Sequence, residues 1–142
     1  MENRYYKIRA DEKRVIVERI TAYIKNRPDI LFAYLHGSFF SGDRFRDIDI
    51  AIYLKPPFSP SLQVELEMEA ELDKEVKKYP VEVRVLNNAP LSFRYNVLKH
   101  GKPIVVVDDD LRCDFMEATL SNYFDFAPFR KMYLKEAMGS GI

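Results

Sequence analysis

Three carboxylates and a glycine–hydroxyl pair stand in this chain in an order that suits phosphate chemistry. Gly37-Ser38 closes an apolar run that begins at Ile30; eight residues later Asp47-Ile48-Asp49 opens a second run ending at Leu54. A third run, Val81 to Leu86, carries Glu82 within it. Glycine allows a tight turn and close approach of a phosphate, while the Ser38 hydroxyl and the first amides of a helix starting near Phe39 supply donors. Residues two apart on a strand share a face, which sets Asp47 and Asp49 side by side. Such a pair repels and takes up protons unless a cation intervenes, and a hard divalent ion with oxygen ligands, Mg²⁺, resolves the conflict. If the third strand pairs beside the second, Glu82 completes a cluster of three. Two ions there would clamp the attacking and leaving oxygens of an in-line displacement at the α-phosphate of a nucleoside triphosphate, releasing pyrophosphate. Arg44 and Arg46 are near enough in sequence to touch phosphates. Each piece alone is common: Asp-x-Asp is usually a turn or cap, Gly-Ser a loop pair, and a lone strand glutamate a solvated edge residue. Their conjunction at strand ends points to a metal–nucleotide site.

Those residues need elements to hold them. Asp11 is the expected N-cap of a first helix, with Val15, Ile16, Ile20, Tyr23 and Ile24 at helical spacing and Pro28 as its stop. Ile30 to Leu35 reads as a strand buried on both faces, Phe39 to Arg46 as a helical turn and a loop, and Asp47 to Leu54 as the second strand. On that strand Ile48, Ile50, Ile52 and Leu54 take the face opposite the aspartates. Ser59-Pro60 reads as a cap and a first-turn proline opening a Glu-rich helix to about Lys78. The alternation Leu62, Val64, Leu66, Met68 is a strand signal within it, outweighed by length, the proline and the later spacing of Leu72 and Val76. The third strand, Val81 to Leu86, turns Val81, Val83 and Val85 one way and Glu82 and Arg84 the other. A short helix from Leu91 to His100 stops at Gly101; Pro103 to Val107 is a short strand. Asp108-Asp109-Asp110 caps a last helix expected to reach about Met138, bent at Pro128.

The 142 residues make a single domain, expected to span 1–142 with flexible ends at 1–10 and 139–142. Lys and Arg number 22, as do Asp and Glu, so no broad nucleic-acid-binding face is expected. A single cysteine, Cys113, excludes an intrachain disulfide and reads as a small helical hydrophobe. The polar start and the lack of any long apolar stretch point to a cytoplasmic protein without a membrane span. His36 reads as a packed or hydrogen-bonded strand-end residue rather than a catalytic one, His100 as a helix-end residue favoured by the dipole. Tyr123, Phe124, Phe126, Phe129 and Tyr133 read as core, or as a partner-facing patch.

Gly37-Ser38…Asp47-Ile48-Asp49, followed by Val81-Glu82-Val83-Arg84-Val85-Leu86-Asn87-Asn88-Ala89-Pro90, resembles the minimal nucleotidyltransferases of the DNA polymerase β superfamily. Together with Leu91-Ser92-Phe93-Arg94-Tyr95, Lys99-His100-Gly101-Lys102 and Tyr123-Phe124-Asp125, the pattern looks like the MntA-type antitoxins over nearly the whole chain. The resemblance implies an α+β fold, a small mixed sheet flanked by helices. It implies ATP as substrate, Mg²⁺ held by Asp47, Asp49 and Glu82, and Gly37, Ser38, Arg44 and Arg46 at the nucleotide. It also implies a partner: a HEPN-type (HEPT) ribonuclease toxin, silenced by AMP on a tyrosine. A homo- or hetero-oligomer is compatible with this. The chain departs from the family pattern in a shorter Ser38–Asp47 connection, in Phe39-Phe40-Ser41 where an arginine is common, and in Glu82 where aspartate is usual. Two other readings stay open: an antitoxin that neutralises by contact alone, and a small-molecule nucleotidyltransferase, which usually needs an added helical domain.

Overall fold

The computed structural model describes residues 5–124. Its four-stranded sheet is formed by β2 (Ile30–His36), β4 (Ile48–Leu54), β5 (Val81–Val85) and β6 (Lys102–Val106), in the spatial order β5-β4-β2-β6. β2 runs antiparallel to β4 and β6, whereas β4 and β5 run parallel, so the sheet is mixed. The parallel step needs a crossover, which α3 (Ser61–Val76) supplies.

Helices cover both faces. Ile16, Ile20 and Ile24 of α1 (Ala10–Lys25) and Val64, Met68, Leu72 and Val76 of α3 repeat every fourth residue, a one-sided stripe on each helix. They pack with Ile48, Ile50, Ile52 and Leu54 of β4 in one core cluster. The other cluster joins Phe32, Tyr34 and Ala51 of the sheet to Val97 of α4 (Leu91–His100) and Phe115 of α5 (Asp109–Tyr123). The architecture is the α+β one expected, a small mixed sheet between helical layers.

Several boundaries differ from the sequence reading. Asp11 lies inside the first turn of α1, whose N-cap position is Arg9; the carboxylate still complements the helix dipole and pairs with Arg9 at 2.8 Å. Pro60 rather than Ser59 occupies the cap position of α3. Asp47 precedes β4 instead of opening it. The segment expected to be a helical turn and loop is α2 (Ser38–Ser41) followed by a strand, β3 (Arg44–Phe45), which pairs antiparallel with β1 (Tyr6–Lys7). Asp108 does cap α5, its side chain accepting from Leu111 N at 3.0 Å. Cys113 is exposed on α5, not packed as a small hydrophobe. Phe126, Phe129, Tyr133 and the expected bend at Pro128 lie outside the described residues. Among the described residues no helix is long and apolar enough to cross a membrane.

Candidate nucleotide and metal site

The sheet register brings the separated residues together. Asp49 is aligned with His36 on β2 and with Glu82 on β5, so the three stand in one row across the sheet. Ligand oxygens from Asp47, Asp49 and Glu82 all lie within 4.8 Å of one another, and each residue is partly buried. The conditional placement of Glu82 beside the aspartates is met by the parallel β4–β5 pairing.

Gly37 joins this row from the end of β2. Its φ is +78°, a region that favours glycine, and a Cβ built there would collide with Asp49 Oδ2 and lie 3.1 Å from Asp49 Cγ. Glycine is therefore required both by the turn and by the carboxylate above it. Ser38, the first residue of α2, follows directly, with the one-turn helix held by Gly42 N donating to Ser38 O at 2.8 Å.

The short connection to Asp47 is anchored by aromatic rings. Phe39 and Phe45 are fully buried and meet edge to face with ring centres 4.8 Å apart; Phe45 also packs on Tyr79, and Tyr6 of β1 closes the group. Phe45 thereby fixes the chain two residues before Asp47. Arg44 and Arg46 are exposed and direct their guanidinium groups over the Tyr5 ring, at 5.8 and 5.7 Å.

On the far side, β5 is a sheet edge, and α3 covers it. Glu69 accepts from Val83 N at 2.8 Å, and Glu65 accepts from Val85 N at 2.9 Å. Four helical residues rise about 6 Å, close to the ~6.6 Å of two strand residues, so glutamates one turn apart match alternate strand amides. This clamp holds the strand that carries Glu82. At the other end Asn87 reads the last residue of β4 with both side-chain atoms, accepting from Leu54 N at 2.8 Å and donating to Leu54 O at 2.9 Å.

The charges explain what the cluster lacks. Burial pushes the Asp49 carboxyl up to about 7; the neighbouring Asp47, to which it is hydrogen-bonded, and Glu82 add to the rise, and Arg84 opposes it. Arg84 pairs with Glu82 at 2.8 Å and reaches Glu69 at 3.6 Å. Burial pushes His36 down to about 4 against the pull of Asp47, so its imidazole is neutral near pH 7. His36 Nε2 is buried without a hydrogen-bond partner among the described residues, and the ring meets Phe93 edge-on at 5.6 Å. Convergent oxygen donors, one of them pushed up by burial and by its carboxylate neighbours, fit a hard divalent cation such as Mg²⁺.

Sequence reasoning grouped the three carboxylates with Gly37 and Ser38 but gave no role to Arg84, although it placed Arg84 on the face of Glu82. The position two residues on was the available signal. His100, expected at a helix end, is the exposed last residue of α4. Tyr123 and Phe124 pack on Tyr95, with the Tyr95 and Tyr123 ring centres 3.8 Å apart.

Mixed sheet, crossover helix and carboxylate row define a nucleotidyltransferase domain. The model of the polymerase beta nucleotidyltransferase family matches residues 18–110, more than half of the chain, and the chain belongs to that family. Solved structures of similar fold include chains of toxin–antitoxin complexes. One is a chain of the complex of a tri-AMPylated Shewanella oneidensis HEPN toxin with an MNT antitoxin: 20% identity, TM-score 0.65, covering 89% of this chain and 98% of that one. Another, from a toxin–antitoxin with AMP-PNP, has 23% identity and a TM-score of 0.66, covering 86% and 98%. A third, from the MntA–HepT toxin–antitoxin, has 19% identity and a TM-score of 0.60, covering 92% and 99%. At these identities the likeness is one of fold. No curated protein matches the sequence.

Proposed function

We propose that this chain is an Mg²⁺-dependent adenylyltransferase that moves AMP from ATP to a tyrosine of a HEPN-type (HEPT) toxin and thereby acts as its antitoxin. The observation that carries the reading is the convergence of Asp47, Asp49 and Glu82 within 4.8 Å beside Gly37. Structures of similar fold supply the chemistry: one contains a tri-AMPylated HEPN toxin, another AMP-PNP.

Asp47, Asp49 and Glu82 would hold Mg²⁺, two ions in this reading, which would neutralise charge building on the α-phosphate. Gly37 leaves room for a phosphate next to Asp49, and Ser38 offers a hydroxyl donor. Arg44 and Arg46, three residues and one residue before Asp47 in the chain, would supply positive charge to the nucleotide. In the transfer the phenolic oxygen bonds to the α-phosphorus, and the α–β bridging oxygen leaves with its electron pair in pyrophosphate. The phenolic proton passes to the Glu82 carboxylate.

The test is to incubate the protein, ATP and Mg²⁺ with the HEPN toxin encoded beside it and weigh the toxin intact. A mass gain of AMP is expected with the wild type and not with Asp47→Ala/Asp49→Ala. No gain with the wild type, or an equal gain with the variant, rejects the reading. One observation favours a second: Glu82 already carries a cation, Arg84, at 2.8 Å. An antitoxin acting by contact alone would still inhibit the toxin after both aspartate substitutions and without nucleotide.

A further inference from the structure

We propose that the groove between α3 and the edge of β5 is the acceptor subsite, which receives a tyrosine presented by the protein that accepts AMP. The inference rests on the adenylyltransferase reading and assigns the side from which the acceptor enters.

The groove encloses about 340 Å³, and Asp47, Glu82, Leu62, Leu66, Val81 and Arg84 line it. Two of the three site carboxylates thus form part of its wall, so an occupant reaches the reacting atoms without crossing the sheet. Leu62 and Leu66 are 65% and 57% exposed and lie one helical turn apart. The core does not use them: α3 meets it through Val64, Met68, Leu72 and Val76. Large apolar side chains exposed next to a polar reaction centre are what an aromatic ring with one polar tip would cover.

Direction comes from the sheet order. Gly37 and Ser38 follow β2, on one side of Asp49; Glu82 is on β5, on the other. In-line displacement requires attacking and leaving oxygens on opposite sides of the phosphorus. With pyrophosphate leaving towards Gly37-Ser38, the attacking hydroxyl comes from the Glu82 side, where this groove opens. A phenol suits the wall: its ring lies against Leu62, Leu66 and Val81 while its oxygen reaches the carboxylate end. A serine hydroxyl is too short to use the leucines. A second groove, about 270 Å³, is lined by Val85, Asn88, Ala89, Pro90 and Phe93 on the other flank of Arg84, and none of the three carboxylates lines it.

The experiment uses the full chain with labelled Leu and Val methyl groups, Mg²⁺ and a non-hydrolysable ATP analogue, titrated with N-acetyltyrosinamide. The Leu62, Leu66 and Val81 methyl signals are expected to shift, and the Val81 shift to vanish in Leu62→Gln/Leu66→Gln. Both leucines are exposed, so this variant keeps the core. It should raise the KM for the toxin about tenfold or more, because the ring no longer has an apolar wall to cover, while ATP-analogue affinity stays unchanged. The conservative pair Leu62→Met/Leu66→Met should leave the toxin KM close to that of the wild type. Methyl shifts elsewhere, an unchanged toxin KM in the glutamine variant, or shifts caused by the ATP analogue but not by the tyrosine amide would overturn the assignment. Lack of AMP transfer by the wild type would instead reject the adenylyltransferase reading, and the acceptor role with it, even if the methyl groups shift.

Discussion

At the C-terminal end of α1 the Arg27 guanidinium lies against carboxylates; at the head of β4 a carboxyl, Asp49, lies against another carboxylate, Asp47. Arg27 donates to both oxygens of Asp29, at 2.8 and 3.1 Å, and to Glu67 at 2.9 Å, with Glu71 at 3.6 Å. Tyr23 donates to Glu71 as well. Each carboxylate there touches a cation, so the Asp29 carboxyl is held below its usual range and Arg27 is raised, in both cases chiefly by their mutual hydrogen bonds. This cluster ties α1 to α3 and is complete. The Asp47–Asp49–Glu82 cluster has the opposite sign of strain: burial and like charges raise Asp49 to about 7, and the cation it meets, Arg84, is engaged at its rim with Glu82. Satisfied charge belongs to structure, and unsatisfied charge leaves room for a ligand.

That contrast can be broken by substitution. The largest effect is expected from Asp47→Ala/Asp49→Ala, which should cut AMP transfer at least about 100-fold, since even indirect partners of metal ligands cost 10–100-fold. Circular dichroism should show the fold intact. Next comes Arg27→Ala. Guanidinium removal leaves its carboxylates unpaired, but Asp29, Glu67 and Glu71 are each more than a third exposed, so solvent screens them; a loss of about 1–2 kcal/mol is expected in urea unfolding. Transfer by the folded Arg27→Ala protein should be unchanged. A large loss of transfer with unchanged stability would reverse the roles of the two clusters.

A third substitution, Asp49→Asn, sharpens the comparison through pH. The folded-state value of Asp49, about 7, lies above its ordinary 3.8, so the folded protein binds this proton more tightly than the unfolded chain. Its contribution to stability is fully present below about pH 4 and is lost as pH rises through 7. Asn removes that loss, and without metal the variant should be more stable than wild type at pH 8 and equal to it at pH 4. Equal stability at both values would show that Asp49 carries no such penalty. The smallest effect is expected at Arg84. Arg84→Gln removes a half-exposed ion pair from Glu82 and should tighten Mg²⁺ binding by no more than about fivefold, the range of a surface pair. Calorimetric titration distinguishes this from weakened binding, which would make Arg84 a helper rather than a competitor of the ion.

The site was legible because its residue types are chemically specific and strand alternation fixes their facing. Asp47, Asp49 and Glu82 could be grouped without coordinates; the β4–β5 pairing that joins them could only be stated as a condition. The alternation Leu62, Val64, Leu66, Met68, a strand signal within a helix, resolves into two helical faces: Val64 and Met68 in the core, Leu62 and Leu66 towards the carboxylates. Periodicity counts apolar residues and cannot tell a core face from a groove wall. Glu65 and Glu69 count in the sequence only as part of a Glu-rich helix, because their partners are backbone amides of a strand more than ten residues away. The β1–β3 ribbon was missed for a related reason: two residues on each side give no pattern, and the pairing depends on buried contacts of Tyr6 and Phe45 with Tyr79.

The central claim is that the row of carboxylates is incomplete without a metal ion. Titrating Mn²⁺ as a stand-in for Mg²⁺ at pH 8 in the presence of AMP-PNP, with free Mn²⁺ followed by electron paramagnetic resonance, tests it most directly. The account predicts saturable uptake by the wild type beyond that of AMP-PNP alone, lost in Asp47→Ala/Asp49→Ala and unchanged in Arg27→Ala. Equal uptake by the wild type and the double aspartate variant would contradict it.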